Sequence, residues 1–124
     1  MEQPIHLAFE KTLVADDELP WEIVDEKIRR KIMSYTNELM LVKVAFLQGG
    51  IGTAHHHPHL QMSYVASGLF EITIGEECKT LKAGDVYFVP SDVVHGAVCL
   101  EDGLLIDVFN PMRQDFVQPL TLSR

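Results

Sequence analysis

The sequence is poor in cysteine, with only Cys78 and Cys99 among its 124 residues. Two thiols make no framework of the kind that staples small secreted domains, and a reducing cytosol would leave both free, as small core or surface residues. Long apolar runs are missing as well. No uninterrupted stretch nears the ~20 residues that cross a bilayer, and Met1 to Glu10 has neither a basic start nor an apolar h-region. A soluble, unprocessed, cytoplasmic protein is expected. Basic residues are few: 10 Lys and Arg face 18 Asp and Glu, the formal charge is −8, and no basic run is longer than Arg29-Arg30-Lys31. That balance argues against nucleic acid and against an anionic membrane surface as partners. With no repeat, low-complexity tract or linker-like stretch, the length suits one domain over 1–124, large enough for one core but not two.

What is present is alternation. From Leu39 onward apolar residues recur every second position, as in Met40, Val42, Val44 and Phe46, then Phe70, Ile72 and Ile74, then Leu104, Ile106 and Val108. Period two is the signature of strands. Turn signals divide the runs at Gly49-Gly50, Ser67-Gly68, Gly75-Glu76, Ala83-Gly84-Asp85, Pro90-Ser91-Asp92 and Asp102-Gly103. Many short strands at regular spacing predict an all-β sandwich or barrel with its core over 39–110. The first 20 residues, ending at Leu19-Pro20, lack clear periodicity and are expected to pack as an N-terminal arm. Trp21 to Tyr35 is ambiguous. Val24, Ile28 and Ile32 stand at helical spacing and slightly favour a helix, while the alternation of Ile28, Arg30 and Ile32 permits a strand.

The segment Gly50-Ile-Gly-Thr-Ala-His55-His56-His57-Pro58-His59-Leu60-Gln61 holds four of the six histidines. On an extended strand His55 and His57 project to one face about 6.6 Å apart, close enough for both imidazoles to converge on one ion. His59 and Gln61 share that parity, yet four such positions would span about 20 Å on a straight strand. The chain must bend after His57, and Pro58, with no N–H to donate, is the natural place. Either His59 or Gln61 can then return to the ion. A solvated loop with a chance run of histidines is the competing reading. Against it stands Gly84 to His95, where a turn, an apolar strand and a Pro-bounded turn lead to an isolated histidine, His95.

These two blocks resemble the two cupin motifs, G-x5-HxH-x3,4-E-x6-G and G-x5-P-x-G-x2-H-x3-N. The first runs from Gly49 through His55, His57 and Gln61 to Gly68, and the second from Gly84 through Pro90 to His95. Gln61 stands where most cupins carry Glu, Asp92 where the second motif has its middle Gly, and Cys99 at the final Asn. The resemblance implies a double-stranded β-helix, the cupin jelly-roll barrel, around one divalent transition metal such as Ni, Zn, Mn or Fe. It assigns His55, His57, Gln61 and His95 as ligands. A neutral amide in place of a carboxylate leaves such a site near +2, which suits an anionic ligand and disfavours a 2-His-1-carboxylate oxygenase.

Near the C-terminus, alternation places Asp107 on the face of Leu105 and Phe109, within a strongly apolar strand. A carboxylate there needs a partner or a job. Arg113, just past Asn110-Pro111, can be that partner or can clamp a substrate carboxylate, a geometry its planar fork suits.

The run Asp107 to Phe116, joined to His55-x-His57-Pro-His59-Leu-Gln61 and to Glu38-Leu-Met-Leu-Val, resembles the KdgF family of pectin and uronate degradation. The resemblance spans most of the chain after Trp21 and favours strand over 21–35. It implies an isomerase-type enzyme that opens 4,5-unsaturated uronate monosaccharides to linear 4-deoxy-5-keto uronates, with Asp107, Phe109 and Arg113 as functional residues. Phe109 and Arg113 would bind the small anionic sugar. A homodimer is expected, since many cupins pair through sheet edges and N-terminal arms. A non-catalytic sugar-acid sensor on the same barrel and a metal-dependent oxygenase of another small substrate are the competing classes.

Overall fold

A computed structural model describes residues 6–117 of the chain. Among them, eight strands follow one another: β1 (Glu22–Asp25), β2 (Ile28–Thr36), β3 (Leu39–Phe46), β4 (Ile51–His55), β5 (Leu60–Ile74), β6 (Glu77–Lys82), β7 (Val86–Val89) and β8 (His95–Asn110). A short helix, α1 (Gln114–Val117), comes after them. All strand pairings are antiparallel.

The two longest strands, β5 and β8, pair along nearly their whole lengths and serve two half-sheets. The first half of β5 and the second half of β8 lie between β7 on one side and β3, β2 and β1 on the other. Their remaining halves lie between β6 and β4. Ile28, Phe46, Val65 and Leu105 from the first half-sheet pack with Phe70, Ile72 and Cys99 from the second, so the two face each other across a shared core. Each such buried apolar side chain contributes roughly 1.5–3 kcal/mol. Between Val65 and Phe70 the ladder shifts register, and there Gly68 takes a φ of +88°. A Cβ on Gly68 would lie 2.5 Å from the Cα of Gly103, so glycine is required where the long strands pass from one half-sheet to the other.

Trp21 to Tyr35 is no helix but belongs to the β1–β2 hairpin, with Ile23 opposite Arg29 and Glu22 opposite Arg30. Ile28 and Ile32 face the interior, whereas Val24 is 48 % exposed. The helix-like spacing misled because a separation of four is also even, and so places two residues on one face of a strand. Of the N-terminal 20 residues, those before His6 lie outside the described residues. Ala8 and Leu19 are buried against Ile32, Tyr35, Met40, Val42 and Phe109. Lys31, only 2 % exposed on the outer face of β2, pairs with Asp16 at 3.2 Å and lies over the Trp21 ring. Cys78 is exposed and Cys99 buried, both as free thiols.

Candidate active site

The two histidine motifs meet because β4 pairs with the start of β8, which makes His55 and His95 direct cross-strand neighbours with ring centroids 4.4 Å apart. His57 lies just beyond β4, in the bend at Pro58, 4.7 Å from His95. The turn of the second motif braces that bend. The backbone N–H of Asp92 donates to the carbonyl of His57 at 2.8 Å, and the Ser91 hydroxyl donates to that of Pro58 at 2.7 Å. Asp92 holds a φ of +62°, the left-handed conformation that the motif's usual glycine adopts without strain.

The three rings are oriented alike. Nδ1 of His55 faces the carbonyl of Thr53 at 2.8 Å, Nδ1 of His57 that of His59 at 3.1 Å, and Nδ1 of His95 that of Val93 at 2.9 Å. A carbonyl only accepts, so neutral His55 and His95 carry their proton on Nδ1 and keep a bare Nε2 lone pair able to ligate, whereas His57 meets an acceptor oxygen at each ring nitrogen. Ligand nitrogens of the three lie within 4.8 Å of one another. Donors bound tetrahedrally to one ion at ~2.1 Å stand about 3.4 Å apart, so the group is open by roughly an ångström relative to a closed coordination sphere, within reach of side-chain rotation. Among the described residues the Nε2 of His95, like the Nδ1 of His59, is buried with no hydrogen-bond partner, as a lone pair able to take a cation would be. Burial holds the His95 imidazolium down at about 4 and also lowers His57, so both stay neutral and able to ligate through the physiological range. This group could hold a divalent metal.

Gln61, at the start of β5, turns Oε1 toward Nε2 of His57 at 3.1 Å. A neutral His57 has one proton for two acceptor oxygens, the His59 carbonyl and the Gln61 amide, and a cation at Nε2 would leave that proton to the His59 carbonyl and let the amide oxygen turn to the ion. His59 is not among the converging donors. Its carbonyl serves His57, and its ring stacks edge-on against His57 at 5.4 Å.

Asp107 and Phe109 project inward from β8, 8 % and 2 % exposed. Cross-strand pairing places Asp107 beside Ser63 and Phe109 beside Gln61. Ser63 donates to Oδ1 of Asp107 at 2.6 Å, and burial pushes the Asp107 carboxyl up to about 6 in spite of that bond and of the nearby Arg113 charge. The guanidinium of Arg113 lies over the rings of Phe109 and Phe116, and its fork rests on Asp115 rather than on Asp107. His55, His95, Gln61, Asp107, Phe109 and Arg113 line a single cavity of about 350 Å³. His57 stands behind it, against Phe109.

Two further residues of this cavity, Arg30 and Tyr87, and one buried beside it, Ser63, escape a motif-based reading. Arg30 of β2 lines it, with its guanidinium 4.0 Å from the Phe116 ring and its Nε on Glu22. Strand parity with Ile28 and Ile32 was the available signal. Tyr87 of β7 lines it too, beside Ser63 across the β5–β7 ladder. Burial and the Asp107 carboxyl hold the Tyr87 phenol well above its ordinary range, and therefore protonated. Ser63 itself shares the parity of Gln61 and Val65.

Residues 42–109 match the model of the cupin domain. The pectin degradation protein KdgF of Dickeya dadantii (strain 3937) is 48 % identical over 104 residues, covering 82 % of this chain and 94 % of its own. The crystal structure of an RmlC-like cupin from Shewanella frigidimarina NCIMB 400 superposes with a TM-score of 0.85 at 40 % identity, over 87 % of this chain and 97 % of that one. The structure of KdgF from Halomonas sp. superposes at 0.83 with 40 % identity, over 86 % and 99 %. The chain therefore belongs to the cupins and, within them, to the KdgF family.

Proposed function

We propose that the protein is a pectin- or alginate-catabolic enzyme that opens 4,5-unsaturated uronate monosaccharides into linear 4-deoxy-5-keto uronates. The observation that carries this reading is the shared cavity: a buried carboxyl held near neutral pH faces the same space as His55 and His95 of the converging histidine group and two guanidinium groups. The overall charge is −8, yet Arg30 and Arg113 place two guanidinium groups on the lining, beside Asp25 and Asp107, where the carboxylate of a sugar acid can meet them.

His55, His57, His95 and Gln61 would hold the metal, which supplies charge stabilisation to an anionic substrate without redox chemistry. Arg113, pre-oriented by Asp115 and by the two phenylalanine faces, would clamp the carboxylate. Phe109 would form the apolar floor beneath the sugar ring. Asp107 would move the proton. Ring opening breaks the C1–O5 bond as the anomeric hydroxyl loses its proton, and the C5 enol becomes a ketone when C4 gains one. The sum is an isomerisation that consumes neither water nor oxidant. Turnover of 4,5-unsaturated galacturonate, followed by loss of the ene absorbance, tests this function.

A homodimer accompanies this reading. On the outer face of the first half-sheet, Met62 lies opposite Phe88 and Tyr64 opposite Val86, and all four are between 45 % and 53 % exposed. A contiguous apolar patch of this kind on a sheet marks a protein contact surface.

A further inference from the structure

We infer that Ser63 is a positioning residue that fixes the polarity of a hydrogen-bond chain running from the histidine group to Asp107. This rests on the reading in which Gln61 joins the histidines in holding a metal and Asp107 handles the substrate proton.

Ser63 occupies the middle of a three-strand row. Its cross-strand neighbour on β8 is Asp107 and on β7 is Tyr87, and it is 1 % exposed. Its hydroxyl meets the Tyr87 phenol across the β5–β7 ladder and has two further contacts of opposite sense. It receives the amide of Gln61, Nε2 to Oγ at 2.9 Å, and it lies 2.6 Å from Oδ1 of Asp107. A hydroxyl owns one proton, and an ionised carboxylate can only accept. The Ser63 proton is therefore committed to Asp107, which leaves only lone pairs for Gln61. The amide must answer with its NH₂, and its carbonyl oxygen must point the other way, toward Nε2 of His57 at 3.1 Å.

The consequence is directional. Without a cation present the amide can turn either end toward the histidines, and an NH₂ directed at their ring nitrogens would occupy the place of a ligand without being one. Ser63, read from Asp107, removes that alternative. Val65 and Val89 on the same interior face are fully buried hydrocarbon and offer the amide no acceptor. One side chain thus orients both the amide at the histidine site and the carboxylate in the cavity, and so ties the two together.

The test uses metal-free full-length protein and Zn²⁺, with affinity read by competition against a chromogenic chelator. Ser63→Ala should weaken Zn²⁺ binding about 10-fold, the low end of what loss of an outer-shell partner costs. In a Gln61→Ala background the same substitution should change nothing further, because Ser63 acts through the amide. Ser63→Cys, nearly isosteric but a poor hydrogen-bonding partner, should show the same pattern and replaces the alanine variant if that fails to fold. Unchanged affinity in the single variants, or an equal loss in both backgrounds, overturns the inference. Turnover of unsaturated galacturonate is measured alongside, with kcat expected to fall more than KM rises. A wild-type protein that binds Zn²⁺ but never turns over the sugar would defeat the proposed function, while the Zn²⁺ cycle would still decide the role of Ser63.

Discussion

Arg113 lays its fork on Asp115, Nε to Oδ1 at 3.1 Å and Nη2 to Oδ2 at 2.9 Å, while Asp107 takes its hydrogen bond from Ser63. The sequence left open whether Arg113 neutralises Asp107 or addresses a substrate. The structure gives the guanidinium a different partner, and the Arg113 side chain is only 11 % exposed while that of Asp115 is 62 % exposed.

The first prediction concerns that fork. Arg113→Lys keeps the charge but loses the planar bidentate geometry. Hydrogen bonds to charged groups are worth about 1.5–3 kcal/mol, so kcat/KM should fall roughly 10- to 100-fold, mostly through KM, with metal content unchanged. A purely structural Arg113 would give a lower melting temperature and near wild-type kinetics in the folded fraction.

Asp107→Asn should separate stability from activity. General acid–base catalysis contributes about 10²- to 10⁴-fold, which sets the expected loss in kcat. Stability should move the other way. A carboxyl raised to about 6 favours its protonated form in the fold, a contribution fully present below 3.8 and lost as pH rises through 6. At pH 8 the metal-free Asn variant should therefore be more stable than wild type, by up to about 3 kcal/mol at about 1.4 kcal/mol per pH unit. The gain should vanish below pH 4. Thermal denaturation at the two pH values checks both signs, and a variant turning over within a few-fold of wild type would remove Asp107 from the chemistry.

Much of this architecture was legible in the sequence, and the failures have physical causes. Alternation in β3, β5 and β8 gave the all-β barrel because period two has no helical equivalent over such runs. It also put Asp107 inside with Leu105 and Phe109, all three now found buried. Val24, Ile28 and Ile32 misled because their spacing is common to both periodicities. Ser63 was invisible for another reason: a small hydroxyl within Met62-Ser63-Tyr64-Val65 carries no motif, and its meaning comes from Tyr87 and Asp107 on neighbouring strands. The partner of Arg113, the exposed side chain of Asp115, lies two residues along the chain, where strand alternation carries no information.

The histidine group gives the third prediction. One divalent transition metal should bind per chain, since three imidazoles suit such an ion where Ca²⁺ or Mg²⁺ would call for oxygen ligands. The double change His55→Ala with His57→Ala should abolish it in elemental analysis. His59→Ala should retain it, because that ring lies outside the converging group. Undiminished metal in the double variant would move the site elsewhere.

A fourth prediction addresses the outer sheet face. Placing a charge in the patch through Phe88→Glu should convert a dimer to a monomer in light scattering, with the barrel still folded. Wild-type protein that is monomeric at assay concentrations would contradict the proposed pairing.

The most direct measurement of all follows the purified, metal-loaded protein on 4,5-unsaturated galacturonate, recording ene absorbance and dissolved oxygen together. Opening of the ring predicts that the absorbance disappears faster than in buffer, that a linear isomer of equal mass accumulates, and that oxygen stays constant. Persistent absorbance, or its loss coupled to oxygen uptake, would contradict the proposed reaction.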